Sequence, residues 1–338
     1  MAHMLEIADN GQVAFALRGA PAWHNLADHV FGEDEHVTTE QMLEAAHLAG
    51  WYVRLIDAQG FAPSDWRFNA DSYFVVRTNP FDGGTDVLSV VGGRYKVLQN
   101  EELFTFGNEI LHGGASWETA GSIKNGRVVF GSLVIPREFT LDPQGANDTT
   151  RTYLLVNTSH DGSVAVQASV TPIRVVCQNT LNMALSGVKQ SFKIRHTSTV
   201  GGKVQAARET LALTYSYMDK FEAEAKALFE QSITDKMFND IVVSLYPKPE
   251  KDLKGAVTKW ENKVSLINDL YFTSPTNETV KGTAWGAFNA LTERLDWYRK
   301  PRAGKSEGVF AAASGFDPQI NAEKGKILSA VKTLAGVK

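Results

Sequence analysis

Cysteine is almost missing from this chain. Its one copy among 338 residues, Cys177, excludes an internal disulfide and any multi-cysteine metal cage, and it suits a reducing cytoplasm. Long apolar runs are missing too. None approaches the roughly 20 residues that span a bilayer. The opening Met1-Ala2-His3-Met4-Leu5-Glu6 has no basic region followed by a hydrophobic core, so no secretory leader is expected. A cytoplasmic location is the expectation. Positive charge is not in excess either: 34 Lys and Arg stand against 38 Asp and Glu, for a net charge of −4. That excludes a uniformly basic nucleic-acid coat and leaves a local basic face open. Hydrophobic residues at 43 % and charged residues at 21 % are ordinary for a globular chain able to bury a core.

Catalytic signatures are missing as well. Gly201-Gly202-Lys203 lacks the upstream glycine of a phosphate loop, and Val204 stands where Ser or Thr is required. Gly83-Gly84 and Gly92-Gly93 fail the dinucleotide fingerprint and read as turns. The eight histidines are scattered, with no pair at the spacing that sets two imidazoles on one helix face. Cys177 lies between Val176 and Gln178 and reads as a buried, inert thiol. His160-Asp161-Gly162 reads as turn chemistry, since neighbouring His and Asp in a tight turn point apart. Glu101 and Glu102 sit about 100° apart on a helix, a poor acid–base pair. Trp23-His24 reads as an anchor for the N-terminal segment, with a ligand contact as the alternative. No cofactor and no metal are expected.

What is present describes an α+β chain: a central antiparallel sheet with β-hairpins packed by helices, then a helical C-terminal region. Three regions are expected: an N-terminal α/β extension over 1–70, a sheet-rich core over 71–200 and a helical part over 201–338. Thr38-Thr39-Glu40-Gln41 offers a helix cap and acidic first turn, followed by Met42, Leu43, Ala46 and Ala49, with Gly50 as the stop. Residues 51–56 read as a strand, and 73–77 and 87–91 as a hairpin around Asn79-Pro80 and Asp82-Gly83-Gly84. A further strand is expected at Tyr95-Lys96-Val97. Asn100 reads as the cap of a helix with Leu103, Phe104, Phe106, Ile110 and Leu111 on its apolar face. The clearest hairpin joins 116–123 to 128–135 through Asn125-Gly126, the pair that best tolerates a type I′ turn. Pro172 is expected as the first residue of a helix whose buried stripe is Ile173, Val176, Thr180, Leu181 and Ala184. Beyond it, helices are expected at 203–231, 234–243, 251–270, 279–299 and 320–335, with 301–318 flexible.

One stretch departs from the acidic average. From Gly162 to Arg208 there is no Asp or Glu, while Arg174, Lys189, Lys193, Arg195, Lys203 and Arg208 are present. Asn179, Ser191 and Thr197 add uncharged donors. Arg94, Lys96, Lys124 and Arg127, near expected strands and turns, extend the set. Cations and small donors on one face are what a phosphate backbone needs, and Tyr95, Phe192 or Trp117 would stack on bases. The plain alternative is a solvated loop whose charges pair with acidic helices.

The words Ala22-Trp23-His24-Asn25-Leu26, the run from Thr171 to Leu181 and Gly282-Thr283-Ala284-Trp285-Gly286-Ala287-Phe288 resemble the phage/plasmid-like proteins of unknown function. That resemblance implies a bacterial cytoplasm during phage or plasmid replication. Over about 90–187, Gly93-Arg94-Tyr95-Lys96-Val97, the Gly113-Gly114 stop, Trp117 and the Asn125-Gly126 turn resemble Rad52-type single-strand annealing proteins. This second resemblance implies a Rad52-like core, DNA-backbone contacts from Arg94 and Arg174, and assembly into rings or filaments. The family's basic pair near the end of its closing helix is absent, with Asn182-Met183 in that place. The expectation is a non-enzymatic single-stranded DNA-binding or annealing protein, a homo-oligomer with no membrane partner. Its DNA contacts would come from Arg94, Lys96, Lys124, Arg127, Arg174, Lys189, Lys193 and Arg195. The alternative is a phage interaction module that modulates a host protein. An enzyme whose site is assembled from dispersed residues is a third reading.

Overall fold

The computed structural model describes residues 5–19, 27–61, 69, 71–110, 116–174, 179–180, 191–196, 204–249, 254–298 and 318–337. The chain is α+β, with an antiparallel-rich sheet and helices towards the C-terminus. It divides into two compact units, each assembled from separated segments. The first takes Met1–Pro136, Thr152–Val170 and Lys189–Thr214. The second takes Arg137–Arg151, Thr171–Val188 and Tyr215–Lys338.

The large sheet contains β1 (Phe15–Arg18), β2 (His29–Phe31), β6 (Trp117–Ile123), β7 (Val128–Leu141), β8 (Asp148–Ser159), β9 (Val166–Arg174), β10 (Asn179–Thr180) and β11 (Ser191–Ile194). Its order among the described residues is β10-β9-β8-β7-β6-β1-β2, with β11 pairing β9. A smaller antiparallel sheet joins β3 (Arg54–Asp57), β4 (Ser72–Thr78) and β5 (Thr85–Gly92). Three helices accompany these strands: α1 (Thr39–Ala45), the short α2 (Ala58–Phe61) and α3 (Asn100–Ile110).

Local chemistry accounts for several of these elements. Thr38 Oγ1 accepts from Gln41 N at 3.3 Å while Gln41 Oε1 accepts from Thr38 N at 2.9 Å. This reciprocal cap starts α1 and satisfies two backbone donors that a helix end leaves open. Met42 and Leu43 then face the core, fully or almost fully buried. The β6–β7 hairpin forms in the expected place, with Ile123 opposite Val128. Asn125 and Gly126 hold φ of +54° and +79°, the mirror-image turn that matches strand twist. All of β6 is buried, and Trp117 packs on Phe104 with ring centroids 4.4 Å apart.

Buried beside this turn, Arg77 donates to both carboxylate oxygens of Glu6 and to Asp86. Its guanidinium carbon lies 4.0 Å from the Trp51 ring centre, and the Ser122 hydroxyl also donates to Glu6. A guanidinium loses little when desolvated against an aromatic face and carboxylates that fill its fork of donors. Arg77 thereby ties the N-terminal Leu5–Ile7 segment to β4 and β5.

Three expectations for the sheet-bearing part change. Tyr95–Val97 is not a strand. Tyr95 N donates to Gly92 O at 3.0 Å in a turn, and Lys96 N donates to His196 O at 2.5 Å. Asn100 does not cap α3 but is its first residue, with a buried side chain that donates to Leu48 O and bonds to His160. The capping bond comes from Glu102, which accepts from Gln99 N at 2.7 Å. Finally, Pro172 opens no helix: Val166–Arg174 is strand β9. Its run of β-branched residues favours a pleated surface. The proline falls between the partners on that edge, since β11 pairs with 166–169 and β10 with 173–174. Neither of those two ladders pairs with it. Of the stripe placed on that helix, Ile173 and Thr180 lie in strands, and Val176, Leu181 and Ala184 lie outside the described residues.

The helices of the C-terminal part follow the expected periodicity: α4 (Val204–Glu230), α5 (Asp235–Leu245), α6 (Lys254–Phe272), α7 (Ala284–Glu293) and α8 (Pro318–Ala335). Thr234 and Thr283 cap α5 and α7 through Met237 N and Gly286 N. Every residue of α7 is buried. The Trp285 indole donates to Asp148 Oδ2 at 2.7 Å, and Phe238 stacks on Tyr271 at 3.7 Å. The helix expected over 279–299 is divided: α7 passes into a wider π-helical turn at Arg294–Tyr298.

Gly286 lies close against backbone in this unit. A Cβ there would lie 2.3 Å from the backbone oxygen of Val280, and a backbone atom cannot rotate aside. Gly286→Ala is expected to cost about 1–3 kcal/mol, as overpacking does, read as a lowered urea midpoint with an unchanged slope. A loss under about 0.5 kcal/mol, the usual scale of an indifferent substitution, would contradict that close approach.

Candidate nucleic-acid interface

The turn that closes β5 and the end of β11 meet in the first unit. The Lys96–His196 backbone bond brings the segment 92–96 against 195–196. Tyr95 lies flat on the His196 ring, with centroids 4.8 Å apart and planes 16° from parallel. The Tyr95 hydroxyl donates to Ser159 O at 2.9 Å. Burial pushes this phenol well above its ordinary range, with the Asp161 charge adding to the effect, so the hydroxyl stays protonated as a donor. The His196 Nε2 bonds to Val164 O at 3.0 Å and lies 3.3 Å from the Thr158 hydroxyl. Since a carbonyl only accepts, that nitrogen carries the hydrogen. Burial lowers the His196 pKa against the backbone bonds at Val164 and Lys96 and the Asp161 charge, which raise it.

These groups border a cleft of about 580 Å³ lined by Arg94, Tyr95, Arg195, His196, Asp71, Asp161 and residues of β5. The cations around it point to water. Arg94, Lys96, Lys193 and Arg195 are all exposed, and none forms an ion pair with a described residue. Asp161 is held ionised: burial raises its pKa, but hydrogen bonds from the Ser163 side chain and amide and from Ser159, with the Lys124 charge, bring it below the ordinary value.

The remaining sequence-chosen cations fall elsewhere. Arg127 lines a second cleft, of about 540 Å³, together with Glu6, Asp9, Asp82 and Asp86, an acidic setting that repels phosphate. Lys124 stands at the hairpin turn with φ +57°, close enough to Asp161 to act on its titration. Arg174 is the last residue of β9. Lys189, together with Trp23, His24 and Cys177, lies outside the described residues. Trp117 is 1 % exposed and cannot stack on a base. Of the aromatic candidates, Phe192 on β11 remains partly exposed.

Sequence reasoning missed Asp71 and His196 altogether and read Asp161 first as turn chemistry, with a part in a dispersed enzyme site as the other reading. His196 directly follows Arg195 inside the stretch free of carboxylates, the one sequence signal that pointed to it. Among the described residues no group of three or more His, Cys, Asp or Glu could hold a metal ion, and no helix is long and apolar enough to cross a membrane.

A family described as a domain of unknown function, DUF932, matches residues 87–314, more than half of the chain. The chain belongs to the DUF932 family. No curated protein and no solved structure matches it. The DUF932 match takes in most of β5, the Arg94 turn, β11 and most of the helical region, but not Asp71, the one cleft-lining residue that precedes it.

Proposed function

We propose that this protein binds single-stranded DNA without catalysing a reaction and promotes annealing during phage or plasmid DNA replication or recombination. One observation carries the reading. Arg94, Lys96, Lys193 and Arg195, four exposed cations without ion pairs to described residues, gather where the 92–96 turn meets the end of β11. A strand's phosphates laid along this ridge would release counterions and so bind in a salt-dependent way. The bases stay extended and exposed, ready to be tested by a complementary strand. The resemblance of Gly93-Arg94-Tyr95-Lys96-Val97 and the following hairpin to Rad52-type annealing proteins supports the same reading, as does the resemblance to phage/plasmid-like proteins. Where that resemblance calls for a helix after Pro172, this chain has a strand as far as Arg174, so the backbone contacts would come from β11. Assembly into rings or filaments belongs to this proposal.

Fluorescence anisotropy with a labelled single-stranded oligonucleotide across a salt series tests it. The parent is expected to bind, with log affinity falling against log salt by about 0.7 for each phosphate neutralised. Arg94→Ala and Arg195→Ala are each expected to reduce that slope by roughly one contact and to weaken binding to all sequences alike. Absence of binding at low salt, or variants indistinguishable from the parent, would overturn the reading.

A further inference from the structure

We infer that the cleft beside Arg94 and Arg195 is a pocket for one nucleoside monophosphate unit, either a residue of a bound strand or a free nucleotide. This inference rests on the reading above and assigns the ligand of its central site. Size comes first. At about 580 Å³ the cleft falls in the range of small-molecule sites and is far larger than a lone phosphate requires.

Its lining is chemically divided in the way a nucleotide is. Arg94 and Arg195, exposed and without ion pairs to described residues, offer planar donors to a phosphate, which a guanidinium binds through paired hydrogen bonds. Asp71 and Asp161 offer acceptors in the same cleft. Asp161 is fixed in place, its Oδ1 accepting from Ser163 N at 2.9 Å. A simple polyanion gains nothing from two carboxylates at its binding site and is repelled by them. A ligand with an anionic end and a donor-bearing end gains from both. Exocyclic amino groups and sugar hydroxyls are such donors. Val90, Val91 and Ala165 also line the cleft and add apolar atoms to its wall. Gly93 lets Asp71 approach: a Cβ there would meet Asp71 Oδ1 at 2.2 Å.

Isothermal titration of the full chain with the four deoxynucleoside monophosphates, with inorganic phosphate and with deoxyadenosine tests the assignment. The same preparations are assayed with the oligonucleotide. The expected result is that a nucleotide binds more tightly than either phosphate or the nucleoside alone. Arg195→Ala is expected to weaken nucleotide binding about tenfold or more, the scale of one lost charge-assisted hydrogen bond. Asp71→Asn, at an exposed position that spares the fold, is expected to weaken dCMP and dAMP more than dTMP, which has no exocyclic amino group. Inorganic phosphate binding as tightly as the nucleotides would overturn the pocket. So would oligonucleotide binding that survives while no nucleotide binds, and in that case the annealing reading stands without it. Nucleotide binding with no affinity for the oligonucleotide would support the pocket and defeat the annealing reading.

Discussion

Lys324→Met is expected to destabilise the helical second unit by about 3–5 kcal/mol, the cost of stripping one partner from a buried ion pair. Lys324 Nζ on α8 lies 2.7 Å from Asp296 Oδ1 in the π-helical turn, and neither side chain is exposed. A carboxylate left in that interior has lost its hydration and the Lys324 countercharge. The exposed Lys226–Glu222 pair along α4 sets the contrast, since pairs of that kind contribute about 0.3–0.5 kcal/mol. Urea unfolding of the full chain, followed by circular dichroism, reads both. The double variant Asp296→Leu, Lys324→Met is expected to recover most of the loss, because apolar side chains often replace a buried pair without penalty. A Lys324→Met protein within about 1 kcal/mol of the parent, against that scale, would show the pair to be hydrated in solution. A double variant as damaged as the single one would show that shape, not charge, is what the site requires.

The second large effect is on acid stability. His160 is fully buried at the end of β8, with its Nε2 3.0 Å from Asn100 Oδ1. Asn100 Nδ2 donates to Leu48 O, so its oxygen is the acceptor and His160 Nε2 carries the hydrogen. Burial, then the neighbouring His196 and Arg77 charges, push this imidazole down to about 3 against the pull of Asp161. The unfolded chain binds a proton at this residue near pH 6.5, whereas the folded chain refuses it until about pH 3. Stability is therefore whole above about pH 6.5 and falls by up to about 1.4 kcal/mol per pH unit below it. The loss levels off near the folded value. His196, also lowered by burial, acts in the same direction. Unfolding free energies measured from pH 7 to pH 4 are expected to show this decline, and His160→Gln, which can still donate to Asn100, is expected to flatten it by about one proton. A variant with the parent's slope would mean that His160 titrates as in water.

Much of this architecture is legible in the chain because short-range chemistry decides it. Asn125-Gly126 admits few conformations besides the turn it makes, and Thr38 with Gln41 fixes the start of α1 within four residues. The helices α4 to α8 follow from apolar spacing that secondary structure alone requires. Pro172 misled because a proline ahead of Ile173 and Val176 satisfies both a helix start and a strand edge. Only the partner strands β10 and β11 decide between them. Asn100 misled in a similar way: its side chain has a cap's chemistry, but Leu48 and His160, far along the chain, claim it. The cleft was half visible. Arg94, Lys96, Lys193 and Arg195 stood out against an acidic background, while Asp71, Asp161 and His196 became part of it only through contacts between distant segments. Arg127 shows the converse, a cation whose surroundings of Glu6, Asp9, Asp82 and Asp86 come from parts of the chain that no local pattern joins to it.

The alternation of segments between the two units has a consequence for inheritance and synthesis. The first unit lacks its last piece until Thr214 has left the ribosome, by which point pieces of the second have already been made. Neither unit can be excised, duplicated or exchanged by a single crossover in the gene, because one cut always takes part of the other with it. A protease seeking a linker between them finds several chain crossings instead of one.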